Sequence, residues 1–311
     1  MERFVQVVAL IVIGALWALT FPLTKIAVSA EYRAFGLIFW SSLIALIALA
    51  PVLVVRGRGL PMSAAGLWRY AFLGLCGTVF PSAASYTAAQ HLPSGVLALC
   101  MALVPIFALP LALMLGTDRV TPGRMLGLGL GLVGVLLILL PDAALPDMAA
   151  VLFIPLALLA AFFYAAEGAV LGRIGGAGLD PFQLFFGASV VSVVLALPIA
   201  WITGTLVIPT RPYGGADLAV LVSGFANVIC YVGYVWLIAR AGSVFSAQVA
   251  YVVTGFGLLW SMLLLGETYS VWVWAAFALI FGGVLLVQPR PRSDESELPL
   301  AAPVGGPTLT P

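Results

Sequence analysis

The feature of this sequence that most constrains its fold is a succession of long, nearly uninterrupted apolar runs. A helix needs about 20 apolar residues to cross the hydrocarbon core of a bilayer. Runs of this kind lie at residues 4–27, 34–55, 69–90, 94–116, 122–140, 149–171, 182–203, 217–239, 243–265 and 270–288. They lack the polar alternation that marks the strands of a membrane barrel. The sequence therefore predicts an all-α membrane protein with ten transmembrane helices.

Composition supports this prediction and narrows the classes of partner. The chain is 63% hydrophobic and 8% charged, whereas a soluble domain is about half apolar and about a quarter charged. The formal net charge is +1 and basic runs are absent, so we expect a lipid bilayer and no nucleic acid as partner. Cys76, Cys100 and Cys230 lie inside apolar runs without CxxC spacing, and His91 lies in a short turn. We therefore expect neither a metal site nor a cofactor.

The basic residues predict the orientation, because cytoplasmic loops of membrane proteins are enriched in Lys and Arg. With a cytoplasmic N-terminus, only Lys25, Arg33 and Arg211 fall on the outer side. The others fall on the cytoplasmic side, at Arg3, Arg56, Arg58, Arg69, Arg119, Arg124, Arg173, Arg240, Arg290 and Arg292. Both termini are therefore predicted to be cytoplasmic, and the first run is interpreted as a retained helix rather than a signal peptide.

The two halves of the chain resemble each other in sequence. At an offset of 149 residues, Met114–Asp118 aligns with Leu263–Glu267, and Gly134–Leu137 aligns with Gly283–Leu286. Five helices per half mean that the second half enters the membrane from the opposite face, which is the inverted-repeat plan of many secondary transporters. We therefore predict a first five-helix repeat at residues 1–141 and an inverted second repeat at 142–288. The remaining residues, 289–311, are rich in Pro, Ser and acids and are predicted to form a disordered cytoplasmic tail.

A set of motifs along these runs resembles a known family. They are Leu16-Trp17-Ala18-Leu19-Thr20-Phe21 followed by Lys25 in the first run, Tyr86 in the third, Pro105 in the fourth, and Leu265-Gly266-Glu267 at the end of the ninth. In this order they resemble the drug/metabolite transporter superfamily, in its EamA-type ten-helix branch. The sequence departs from that family at Thr117-Asp118, where Gly-Glu is usual, and at Val253 or Thr254, where a proline is expected. The resemblance implies a cavity surrounded by helices 1, 3, 4, 6, 8 and 9.

Polar and aromatic side chains inside the runs are the candidate contacts for a solute, because polar groups are costly in a bilayer. Asn227 lies in the middle of the eighth run, where its amide could bind a neighbouring helix or a substrate's ammonium and carboxylate. Tyr231 and Tyr234 follow it at helical spacing. On the other helices that the resemblance places at the cavity, the candidates are Trp17, Tyr86, Met101, Tyr164, Gln248 and Tyr251. Each of these side chains could instead serve packing or anchor the chain at the membrane interface.

Charged groups inside the runs are few. Glu167 is the only carboxylate well inside a run, and it is a candidate for proton coupling. Pairing with a basic residue or extension to the membrane surface are its alternatives, and Lys25 is expected to extend to the surface. A carrier of phosphorylated solutes should keep buried Lys or Arg, and none is evident away from the ends of the runs. The sequence therefore favours a neutral or zwitterionic solute.

These observations predict a secondary transporter that works by alternating access without ATP, since no phosphate-binding glycine loop is present. Aromatic and other large neutral amino acids fit such a pocket best. Export, and a bacterial inner membrane as location, follow from the family resemblance alone. An uptake carrier, or an efflux pump for other amphipathic metabolites or drugs, remains the alternative. An enzyme is not expected, because no cluster of His, Cys and carboxylates is visible. A channel would need an oligomer with rings of charge or carbonyls, and we expect a monomer.

Overall fold

The computed structural model describes residues 2–116, 121–138, 148–176, 178–241, 246 and 248–287. Within these ranges the chain is helical apart from short connections, and it contains no strand. Several sequence predictions lie outside the described residues: the motif Thr117-Asp118, the cytoplasmic arginines Arg119, Arg290 and Arg292, the boundary between residues 141 and 142, and the tail at 289–311.

The first half contains eight described α-helices and one π-helix. They are α1 (Glu2–Ala18), α2 (Thr20–Ser29), α3 (Ala34–Val55), α4 (Ala64–Phe72), the π-helix (Leu73–Val79), α5 (Phe80–His91), α6 (Ser94–Met101), α7 (Val104–Met114) and α8 (Pro122–Ile138). In the second half, a 3-10 helix (Met148–Phe153) precedes the described α-helices α9 (Ile154–Ile174), α10 (Pro181–Ile202), α11 (Gly215–Ala241), α12 (Val249–Leu265) and α13 (Val271–Val287).

Six helical stretches in the described residues are long and apolar enough to cross a bilayer. They are Arg3–Ser29, Ala34–Val55, Ser94–Met114, Ala149–Ile174, Pro181–Ile202 and Gly215–Leu237. Shorter apolar helices follow at Pro122–Ile138, Val249–Leu265 and Val271–Leu286. Such stretches place the chain in a membrane that it crosses several times.

Prolines account for three interruptions in the first half. Proline lacks the N–H that an α-helix requires and clashes with the carbonyl four residues earlier. Pro22 follows the break between α1 and α2 at Leu19, and Pro105 follows the break between α6 and α7. Pro81 follows the π-helix, whose wider turn avoids the missing donor. The regular α-helical pattern is therefore interrupted within three longer helical stretches.

Helices of the two halves pack directly against each other through glycines. A Cβ atom on Gly224 of α11 would lie 2.7 Å from Ile44 of α3, and one on Gly14 of α1 would lie 2.6 Å from Val252 of α12. The Trp260 indole of α12 donates a hydrogen bond of 2.8 Å to the Ala15 carbonyl of α1. The close approach of backbones through small residues is typical of membrane helices. The space between the halves is therefore walled by elements from both.

Helices α8 and α13 form a separate close pair at the side of the bundle. A Cβ atom on Gly283 would lie 2.6 Å from the Gly127 carbonyl oxygen, and one on Gly134 would lie 2.6 Å from Ile280. These glycines lie in the apolar runs at residues 122–140 and 270–288. The pair packs by backbone contact and presents mostly aliphatic side chains elsewhere, which suits a scaffold.

Candidate functional site

A chain of hydroxyl groups crosses the space between the two halves. The Tyr86 phenol on α5 lies close to Ser41 on α3 and to Ser82 on its own helix. Ser82 also lies close to the Tyr164 phenol on α9. The two tyrosines are partly buried and Ser82 is buried. Two of the predicted site residues, Tyr86 and Tyr164, are therefore brought together at Ser82, which was not among the predicted site residues.

A narrow pocket with about 10 Å³ of free volume, roughly the space of one water molecule, lies beside this hydroxyl chain in the conformation of the structure. Its walls come from α2, α3, α5 and α11, and its polar groups are Thr24, Ser41, Tyr86 and Ser223. No residue that lines it is charged. Apolar walls with a few hydroxyl groups are the usual composition of a small-molecule site. The pocket therefore combines hydrogen-bonding groups from both halves of the chain.

Asn227 lies one turn below this pocket on α11. Its amide donates a hydrogen bond of 3.1 Å to the Ser223 carbonyl of the same helix. The side chain is partly buried, and Ser223 lines the pocket. Asn227 therefore bonds to its own helix rather than to a neighbouring one in this conformation.

The two phenols that follow Asn227 contact different neighbours. Tyr231 packs on Phe185 of α10, with ring centroids 4.3 Å apart, and donates to the Pro181 carbonyl at 2.9 Å. Tyr234 packs edge to face on Trp17 of α1, with centroids 6.0 Å apart. Successive helical residues turn by about 100°, so positions three apart point in directions about 60° from each other. The sequence placed both phenols on one face with Asn227, and the structure separates them between α10 and α1.

The remaining candidates lie at three separate positions. Met101 ends α6 at the break before α7 and is partly buried. Gln248 is exposed at the start of α12. Tyr251 packs on Phe281 of α13, with ring centroids 5.0 Å apart. None of the three lines the pocket beside Tyr86.

Glu167 lies on α9, one turn after Tyr164, and its carboxylate rests against the π-helix. A Cβ atom on Gly77 would lie 2.7 and 2.8 Å from the two carboxylate oxygens. Arg173, the basic residue considered as its partner, instead donates a hydrogen bond of 2.7 Å to the Leu115 carbonyl at the end of α7. The carboxylate is therefore seated at a glycine and not in an ion pair with Arg173.

Lys25, which was expected to extend to the membrane surface, binds to the end of a neighbouring helix. Its ammonium group donates to the carbonyls of Ala89, Gln90 and Leu92 at distances of 2.8, 3.4 and 3.0 Å. The last carbonyls of a helix have no partner within the helix and carry partial negative charge. Lys25 therefore caps the end of α5, and this contact outweighs solvation at the surface.

Glu267 caps the N-terminus of α6, the helix that follows α5. Its carboxylate accepts hydrogen bonds from the backbone N–H groups of Ser94 at 2.7 Å and Gly95 at 3.2 Å, at the start of α6. It also accepts a hydrogen bond from the Tyr269 phenol. Burial raises the pKa of Tyr269, and this hydrogen bond raises it further. A carboxylate at a helix N-terminus is favourable. Glu267 was expected only as part of a family motif, and its role as a helix cap could not be predicted because its partner Ser94 is 173 residues away.

A second connection between the halves was also missed. The Tyr32 phenol, which follows α2, donates a hydrogen bond of 2.5 Å to Asp217 at the start of α11. Tyr32 is 2% exposed, and burial followed by this hydrogen bond raises its pKa. Both residues sit at the ends of apolar runs, where sequence alone suggests only interfacial anchors. Among the described residues, His, Cys, Asp and Glu side chains form no group of three or more that could hold a metal ion.

Comparison with known proteins agrees with this arrangement. The model of the EamA-like transporter family matches twice, at residues 5–140 and 151–288. Among solved structures, 28 chains match. One crystal structure, described only as that of a protein, has a TM-score of 0.62 and 18% sequence identity, and the match covers 89% of this chain and 95% of that chain. At this identity the likeness concerns the fold alone. A search of curated proteins gives no match.

The two family matches together span most of the chain, and they correspond to two repeats whose helices enclose the pocket between them. The chain therefore belongs to the EamA-like transporter family and is a multi-pass membrane transporter of the drug/metabolite transporter superfamily.

Proposed function

We propose that this transporter exports small neutral or zwitterionic metabolites, with aromatic and other large neutral amino acids as its substrates. The observation that carries the proposal is the uncharged pocket beside the hydroxyl chain of Ser41, Tyr86, Ser82 and Tyr164. Hydroxyl groups can bind both the carboxylate and the ammonium of an amino acid, and phenol rings offer faces for an aromatic side chain. Phosphorylated solutes would require Lys or Arg at the pocket.

The proposed topology has ten crossings in two inverted repeats, with both termini in the cytoplasm of a bacterial cell. Polar contacts in the described residues support it, because they join groups that this topology puts on the same side. Lys25 and Leu92 are both assigned to the outside, as are Tyr32 and Asp217. On the cytoplasmic side, Arg56 forms an ion pair of 2.8 Å with Asp180.

The proposed mechanism is alternating access by rocking of the two repeats. Two observations support it: the pocket walls come from both halves, and two of the wall helices, α2 and α5, each begin at an interruption of a longer helical stretch. Discontinuous helices at the repeat interface are typical of secondary transporters. The proposed carrier is a monomer. Export as the direction rests on the family, and uptake or efflux of other amphipathic compounds is the alternative.

Efflux from proteoliposomes tests this proposal. Purified protein is reconstituted, and efflux of a panel of radiolabelled neutral amino acids is followed with and without a pH gradient. We expect saturable efflux of aromatic and branched species, reduced at least about tenfold in Asn227→Ala because that amide is next to the pocket. A panel in which no amino acid moves, but amphipathic amines or drugs do, would favour the alternative and refute the amino-acid proposal.

The hydroxyl chain itself makes a sharper prediction. Tyr164→Phe and Tyr86→Phe each remove one hydroxyl and keep the ring, so each should raise the half-saturating concentration of the solute about five- to tenfold, as expected for one hydrogen bond of about 1 kcal/mol. Tyr213→Phe is the matched control, since Tyr213 is 63% exposed in the connection before α11. Equal half-saturating concentrations in all four proteins would show that the hydroxyl chain does not bind the solute.

A further inference from the structure

The Glu167 carboxylate lies directly against Gly77, in space that any larger residue at position 77 would fill. Its carboxyl carbon lies 2.6 Å from where a Cβ atom of Gly77 would be, so any other residue at position 77 would collide with the carboxylate. Gly77 lies within the π-helix that Pro81 imposes on the chain. The side chain is partly buried, and in the described part of the chain no hydrogen bond or ion pair joins its carboxylate to another group.

The titratable groups near this carboxylate are phenols and a thiol, and none of them is basic. Tyr164 on its own helix, Cys76 on the π-helix and Tyr231 on α11 are the titratable groups that interact with it electrostatically. Of the other elements packed on α9, α5 contributes Tyr86 and α6 contributes Cys100, whereas α7 has no titratable residue.

The nearest basic residues on these elements are engaged elsewhere. His91 at the far end of α5 stacks on Phe153, with ring centroids 3.6 Å apart, and Arg173 binds the Leu115 carbonyl. A carboxylate inside a membrane without a cationic partner is costly. A cation that enters the space between the halves would relieve this cost, and an organic ammonium is the cation that a transported amine or amino acid carries.

We propose that Glu167 binds the ammonium group of the transported solute, so that the substrate must carry an amine. This inference rests on the proposed carrier function and adds a substrate class to it: amino acids and amines bind, whereas carboxylic acids without an amine do not. The carboxylate next to Tyr164 fixes the ammonium end, and the hydroxyl chain toward Ser41 is left for the rest of the solute.

The test is equilibrium binding to the purified protein in detergent, with three radiolabelled ligands that share one ring: phenylalanine, phenylethylamine and 3-phenylpropionate. We expect the native protein to bind the first two and not the third. Glu167→Gln should weaken both amines at least about tenfold, and Glu167→Asp should restore part of the affinity. Glu31→Gln removes an exposed carboxylate in the connection after α2 and should bind like the native protein.

A second variant keeps the test decisive if Glu167→Gln does not fold. Gly77→Ala retains the carboxylate but puts a methyl group where the carboxylate lies. This variant should also weaken binding of both amines. Binding of 3-phenylpropionate as tight as that of phenylalanine, or native affinity for amines in Glu167→Gln, would overturn the inference. A Glu167→Gln protein that keeps amine affinity and loses only the response of efflux to a pH gradient would do the same, because Glu167 would then be a proton site.

Failure of the amino-acid proposal can be distinguished from failure of the ammonium site. If phenylethylamine binds in a Glu167-dependent way but the reconstituted protein does not transport phenylalanine, the amino-acid proposal fails and the ammonium site stands. If phenylalanine is moved equally by the native protein and Glu167→Gln, the carrier function stands and the ammonium site fails.

Discussion

Replacing Gly283 by leucine should lower the free energy of unfolding by at least about 3 kcal/mol, because the new side chain would force α13 away from α8. A Cβ atom at this position would already lie 2.6 Å from the Gly127 carbonyl oxygen and 3.1 Å from the Gly131 nitrogen. Both are backbone atoms, which cannot move aside as a flexible side chain can. The rest of a leucine side chain has to enter the same contact, so the two helices must separate.

The adjacent glycine provides a matched control. A Cβ atom on Gly282 would have no atom outside its own helix turn within 4 Å, so Gly282→Leu should change the free energy of unfolding by about 1 kcal/mol or less. Unfolding of the purified proteins in mixed micelles, followed by circular dichroism, measures both. Equal stability of the two variants would contradict the packing of α8 on α13.

Removing the carboxylate of Glu267 should be the next most damaging change. Glu267→Ala leaves the N–H groups of Ser94 and Gly95 and the Tyr269 phenol without their acceptor. Ser94 is fully buried, so water cannot easily replace the lost bonds. Hydrogen bonds to a charged group contribute about 1.5 to 3 kcal/mol each, and we expect a total loss of about 3 kcal/mol.

Two comparisons separate this effect from a general loss of charge. Glu267→Gln keeps an acceptor oxygen and should fall between the native protein and Glu267→Ala. Glu31→Ala removes an exposed carboxylate on the same predicted side and should be neutral within about 0.5 kcal/mol. The apparent melting temperature in detergent ranks the four proteins, and a Glu267→Ala protein as stable as Glu31→Ala would show that Glu267 does not hold α6 in place.

The lengths of the helices could be predicted closely, whereas their interruptions could not. The apolar run at 34–55 coincides with α3, and the run at 182–203 differs by one residue from α10. Hydrophobicity reports only that a segment is apolar, so it does not distinguish one long helix from two that meet at a break. Pro22, Pro81 and Pro105 are the signals that could have located the breaks, because each lies two or three residues beyond an interruption.

Which of the candidate residues lie close together could be predicted only in part. Tyr86 and Tyr164 were selected because polar groups inside a bilayer need a reason to be there, and the structure brings them together at Ser82. Tyr251 met the same criterion but packs on Phe281. Helical spacing shows which residues share a face; it does not show which neighbour that face meets.

Long-range capping contacts were beyond the reach of the sequence. Lys25 was expected at the membrane surface, and its binding to carbonyls more than 60 residues away along the chain was not predicted. Whether a Lys side chain is solvated or caps a helix depends on the position of that helix end in space. The same holds for Glu267 at α6, where motif and partner lie in different repeats.

The most direct test of the central claim, that the solute passes through the pocket beside Tyr86, is protection of Ser41→Cys from a membrane-impermeant thiol reagent. The measurement uses proteoliposomes, with Cys76, Cys100 and Cys230 replaced by alanine and with Thr203→Cys, at an exposed position after α10, as the control. We predict that phenylalanine slows labelling at position 41 but not at position 203, and that labelling at 41 abolishes efflux. Labelling at 41 that is indifferent to every transported solute, with efflux intact afterwards, would contradict the claim.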